Sequence, residues 1–141
     1  MLVRLLYASR VAPAVDGDAL AAIVRQSQQH NAAIGVTGVL CCSGSLFMQV
    51  LEGGRSVVNR LYNRIVTDPR HTDVELLVYE EIGERRFAGW SVGQVNLASL
   101  NPAVLLKYSE TAALDPYSVS GAASMALFEE LAATASVCAP L

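Results

Sequence analysis

The sequence predicts an α+β chain: a ferredoxin-like βαββαβ sheet with an extra strand, two helices packed on one face, and short C-terminal helices. Three observations carry this. Strand-like apolar runs and two stretches of helical periodicity follow one another as strand, helix, strand, strand, helix, strand. Ser43-Gly44 is a turn signal that joins the middle two strands in a hairpin. With 141 residues, 52% of them apolar, the chain can bury one core of its own and is no disordered tail.

Leu2 to Ala8 is apolar except for Arg4 and reads as the first strand. Pro13, Asp16 and Gly17 mark a loop, and Asp16 or Asp18 caps a helix running to about His30. Leu20, Ile23, Val24, Ser27 and Asn31 fall on one face of that helix. Gly35 to Cys42 and Leu46 to Glu52 are the hairpin strands, and Gly53-Gly54 ends the second. Arg55 to Asp68 is the next helix, with Val57, Val58, Leu61 and Ile65 inward; Asp68-Pro69 stops it. Thr72 to Ile82, rich in Val and Leu, is the fourth strand. Glu84-Arg85-Arg86 reads as a solvated turn, and Trp90 to Val95 as a short fifth strand. Residues 1–97 form the domain. Residues 98–141 form a helical extension, with helices at about Pro102 to Tyr108 and Ser120 to Ala133, the latter carrying Met125, Leu127, Phe128 and Leu131.

Composition narrows the function. Charged residues are only 16%, against about 25% on average, and the net charge is −3. A nucleic-acid binder would show a basic face. No apolar run approaches the ~20 residues that span a bilayer, and the N-terminus lacks signal-peptide features. These observations predict a cytoplasmic protein, and the lightly charged surface predicts a homo-oligomer. Cys41, Cys42 and Cys138 have no metal-ligand spacing and read as small hydrophobes. His30 and His71 are far apart in sequence, against a zinc site.

The informative residues are polar groups where core residues are expected. Val3, Leu5 and Tyr7 share one face of the first strand by two-residue alternation. Phe47, Gln49 and Leu51 share one face of the third. Asn31 extends the apolar stripe of the first helix. Tyr7, Asn31 and Gln49 thus all point into the space between helices and sheet. An unpaired buried amide or hydroxyl costs about 1–3 kcal/mol. Either backbone and water satisfy these groups, or a polar, planar ligand enters between the helices. On the second helix, Arg64 and Asp68 are four apart and share an edge, and Arg70 and His71 follow. These form either an exposed ion pair of little worth or a set in which Arg64 and Arg70 meet the phosphate part of a nucleotide cofactor. Neither a Rossmann nor a P-loop motif is present.

Five ordered segments carry a resemblance: LLYASR (Leu5 to Arg10), QSQQHNAAIGVTGVL (Gln26 to Leu40), FMQVLEG (Phe47 to Gly53), RIVTDPRH (Arg64 to His71) and RRFAGWS (Arg85 to Ser91). Together they resemble the BLUF domains, blue-light sensors that use FAD, and with LLKYSETAALDP (Leu105 to Pro116) the short stand-alone, PixD-like type. The resemblance implies non-covalent FAD with its ring between the two helices. It implies that Tyr7 is the electron and proton donor and that Gln49 bridges it to the flavin. Ser9 and Trp90 match positions near that glutamine. Asn31 matches the contact to the flavin's pyrimidine edge, and His30, Arg64, Asp68, Arg70 and His71 complete the cofactor-binding set. In this picture illumination moves an electron and a proton off Tyr7, both return, and Gln49 is left rearranged, with absorption moved to longer wavelength. No substrate is converted, so the output is a conformational shift read by a separate effector protein. One position departs: where the family often has methionine two residues after the tryptophan, this chain has Val92. The signal must then leave through backbone or packing changes in the fifth strand.

Three other readings compete. An acylphosphatase-like hydrolase needs Arg10 and Asn31 to converge on a phosphate. An RRM-type RNA-binding module needs exposed aromatics on an open sheet face. A ligand-sensing regulatory domain without light chemistry predicts a colourless protein.

Overall fold

The computed structural model describes residues 1–134. Its elements are β1 (Leu2–Val11), α1 (Gly17–Ala33), β2 (Thr37–Ser43), β3 (Leu46–Gly54), α2 (Arg55–Thr67), β4 (His71–Ile82), β5 (Gly93–Asn96), a 3-10 turn (Leu97–Ser99), α3 (Pro102–Leu106) and α4 (Gly121–Ala133). The strands form one sheet in the order β4-β1-β3-β2-β5. β5 joins β2 in parallel, and the other pairs are antiparallel. This is the mixed five-stranded, ferredoxin-like arrangement that the element order predicts.

Alternation along the strands builds two cores. Val3, Leu5, Tyr7 and Leu51 face Val58 and Leu61 of α2. On the same side, Leu40, Phe47 and Val92 meet Val24 of α1. The intervening residues Leu6, Ala8, Met48 and Val50 face Leu127, Phe128 and Leu131 of α4 on the other side. A strand covered on both faces reads as a continuous apolar run, which is why β1 shows almost no polar alternation. The C-terminal helices therefore cover the back of the sheet, and no open face of RRM kind remains among the described residues.

Several boundaries differ from expectation, each for a local reason. Asp16 is the N-cap of α1, accepting from Ala19 N at 2.8 Å. The helix runs past His30 to Ala33. Gly35 has φ +72°, so it ends this helix in the left-handed region instead of beginning β2. β5 begins at Gly93, not Trp90, because the carbonyls of Ser91 and Val92 accept from side chains of α1. The turn at Glu84-Arg85-Arg86 is not wholly solvated. Arg85 reaches Thr37 Oγ1 at 2.9 Å, and Arg86 N donates to Glu52 Oε2 at 3.1 Å.

Cys41 is buried and Cys42 half-buried, both as free thiols; Cys138 lies outside the described residues. Among the described residues, no helix is long and apolar enough to cross a membrane, and no group of His, Cys, Asp or Glu could hold a metal ion.

Candidate functional site

Tyr7 and Gln49 are direct cross-strand partners in the β1–β3 ladder, so their side chains leave the sheet side by side on the helix-covered face. The Tyr7 hydroxyl donates to Gln49 Oε1 at 2.6 Å. Both residues are buried. Burial pushes the Tyr7 phenol well above its usual range, and Tyr62 and Asp68 push it further. The group is a neutral phenol at neutral pH, locked as the donor of that bond. With its carbonyl oxygen taken, Gln49 presents its NH2 group to the adjoining space.

That space is a cavity of about 270 Å³ between α1, α2 and the sheet. Tyr7 and Gln49 form its floor with Leu40 and Phe47, while Ile23 and Val24 from α1 and Leu61 and Ile65 from α2 form apolar sides. Asn31 lines it from the last turn of α1 and donates to Ser91 O at 3.4 Å. Two apolar walls with amide groups at the base suit a flat ring that carries carbonyls and ring nitrogens.

The remaining expected residues gather on the cavity wall. His30, Arg64, Asp68, Arg70 and His71 all line it. Arg64 of α2 donates to His30 Nε2 of α1, joining the two helices. The expected Arg64–Asp68 edge does not form. α2 ends at Thr67 and Asp68 is extended at ψ 120°, which turns it off the helical edge. Asp68 instead takes a paired contact from Arg70, at 3.0 Å from Nε and 2.6 Å from Nη2. That guanidinium holds the Asp68 carboxyl below the usual carboxylate range. His71 is pushed below its usual value, chiefly by burial, and its Nδ1 lies 3.0 Å from Ser9 Oγ.

Two expected photoactive residues stand apart from the cavity. Ser9 is buried behind the lining, bonded to His71 and paired across the ladder with Phe47, both of which line the cavity. Trp90 is placed on the other side. It packs against the core under α4 and flanks Phe87, because its backbone is held by Gly38 N at 2.9 Å and its ring turns to the back of the sheet. The residue two positions on, Val92, does line the cavity. Arg10 also lies away from it, stacked 4.8 Å from the Tyr117 ring, so Arg10 and Asn31 do not converge as a phosphate-cleaving pair would. Sequence reasoning missed Gln28, whose Nε2 donates to Val92 O at 3.2 Å, and the buried carboxylate of Glu52. Gln28 lies one position off the apolar stripe and gives no periodic signal.

A sequence profile described as "BLUF: Sensors of blue-light using FAD" matches residues 2–93. The chain belongs to the BLUF family. It is 37% identical over 92 residues to "Photoactivated adenylate cyclase subunit beta" of Euglena longa, covering 64% of this chain and 11% of that protein. It is 33% identical over 87 residues to "Blue light- and temperature-regulated antirepressor BluF" of Escherichia coli strain K12, covering 62% of this chain and 22% of that one. Among solved structures it is similar to "BlsA photo-activated state", with TM-score 0.83, 29% identity and coverage of 94% and 95% of the two chains. It is also similar to "BlrB - a BLUF protein, dark state structure", with TM-score 0.79, 33% identity and coverage of 94% and 96%. The chain thus spans a small part of its curated relatives and nearly all of these two structures. BLUF domains bind flavin, and the cavity fits such a group: Ile23, Val24, Leu61 and Ile65 give apolar sides for a ring, Gln49 gives an amide in the floor, and Arg64 and Arg70 give cations on the remaining wall.

Proposed function

We propose that this BLUF domain senses blue light through the Tyr7–Gln49 pair, with FAD held between α1 and α2. Bound flavin supplies a light-absorbing ring whose excited state accepts an electron. The protein does the rest. Tyr7 releases an electron, and because an oxidised phenol is far more acidic, its proton passes to Gln49 Oε1 along the existing hydrogen bond. Both return to Tyr7, so nothing is consumed, and Gln49 is left with its amide rearranged. Asn31 orients the pyrimidine edge, and His30, Arg64, Asp68, Arg70 and His71 hold the cofactor on the remaining wall. Val92 on the wall and the β5 strand that follows it carry the change outward. The sensory module ends near residue 97, and 98–141 act as its extension. A separate effector protein in the cytoplasm reads the state, and the module works as a homo-oligomer.

The observation that supports this reading is the 2.6 Å bond from a buried phenol to a glutamine on the cavity floor. The test is the visible spectrum of flavin-loaded protein. Blue light should move the flavin bands to longer wavelength, and the shift should reverse in darkness. A protein that does not take up flavin, or whose loaded form gives a fixed spectrum under illumination, would overturn the reading.

A further inference from the structure

Glu52 is fully buried, three residues beyond Gln49 on β3, and its side chain points to the opposite face of the sheet. It pairs across the ladder with Arg4, which pairs in turn with Glu80 on β4. Arg4 Nε and Nη2 each lie 2.8 Å from Glu52 Oε2, and Arg4 Nη1 lies 2.8 Å from Glu80 Oε1. A carboxylate this deep is costly unless every lone pair is used. The other donors come from one short segment: Phe87 N at 2.6 Å and Arg86 N at 3.1 Å. Arg85 grips the same place through Thr37 Oγ1 at 2.9 Å. Only Ala88 and Gly89 separate this anchor from Trp90, Ser91 and Val92, whose carbonyls are bound by Gly38 N, Asn31 Nδ2 and Gln28 Nε2. The segment is therefore pinned at two points, one on each side of the sheet.

We propose that Glu52 is a positioning residue for the photoreaction: through the Arg86–Phe87 amides it fixes where Ser91 and Val92 stand, and so where Asn31 and Val92 meet the cofactor. This rests on the photoreceptor reading above. It gives Val92 a mechanical role without a side-chain acceptor. The strand following the cavity wall moves only as far as the anchor behind it allows.

Glu52→Gln tests this, since it keeps the shape and turns one acceptor oxygen into a donor facing donors. Arg85→Ala loosens the same segment from its half-buried side and decides the matter if the first variant does not fold. Leu105→Ala, in α3, serves as a control that lowers stability alone. In flavin-free protein, the side-chain NH2 resonances of Asn31 and Gln28 should move in the first two variants and stay in the control. In flavin-loaded protein, the dark recovery rate should change by about fivefold or more, equivalent to ~1 kcal/mol in barrier. Unchanged amide resonances, or an unchanged recovery rate, in variants whose wild type still shows the light-induced shift would overturn the inference. A flavin-loaded wild type with no shift overturns the photoreceptor reading instead.

Discussion

Replacing Tyr7 by Phe removes one oxygen atom and leaves the ring and its packing in place. The lost bond to Gln49 is worth about 0.5–1.5 kcal/mol, and an acceptor left without a partner costs about 1–3 kcal/mol. Gln49 borders the cavity, where water can partly replace the hydroxyl. The expected loss in flavin-free protein is therefore about 1–2 kcal/mol. For a chain of this length that is a fall of roughly 3–8 °C in Tm, read by circular dichroism. The pH dependence has a defined sign. The phenol's folded value is raised, chiefly by burial. Its contribution is therefore complete below the unfolded value of about 10 and is lost as pH rises beyond it. Wild type should weaken between about pH 10 and 11 relative to Tyr7→Phe. Loaded with flavin, the variant should keep its colour and lose the light response. A variant that shifts reversibly under blue light refutes the assignment of Tyr7 as donor, whatever its stability.

Two further outcomes follow from local geometry. His71 has its folded value lowered, so its stabilising contribution is present above about pH 6.5 and is lost as pH falls through the depressed value; His71→Gln should flatten the Tm profile between about pH 7 and 5. A Cβ on Gly38 would run into the carbonyl oxygen of Val50 in the neighbouring strand; Gly38→Ala should destabilise by about 3 kcal/mol, measured by urea unfolding.

The positions of Tyr7 and Gln49 were legible because two-residue alternation fixes a strand's faces whatever the strand pairs with. Asn31 followed from the helical stripe, and all three line one cavity. Trp90 was not legible as to side. A single aromatic ahead of a short strand has no periodicity, and tertiary bonds to its backbone decide where the ring turns. Glu52 was hidden for a different reason. A charged residue in a strand reads as solvent-facing, and only the cross-strand partner Arg4 and the Arg86–Phe87 amides make its burial affordable. The parallel attachment of β5 beside β2 and the covering of the sheet's back by α4 depend on contacts far apart in sequence. Met125, Leu127, Phe128 and Leu131 of the extension are apolar, but their spacing does not say which face of the sheet they cover.

In the proposed photoreaction, light rearranges the hydrogen bonds of Gln49 without net chemistry. Light-minus-dark infrared spectra of flavin-loaded wild type and Gln49→Leu address it directly. Wild type should show a flavin carbonyl stretch moved to lower frequency, recovering fully in the dark. In Gln49→Leu, with colour retained, that band should be absent. The same reversible downshift in the leucine variant would show that Gln49 does not carry the light response.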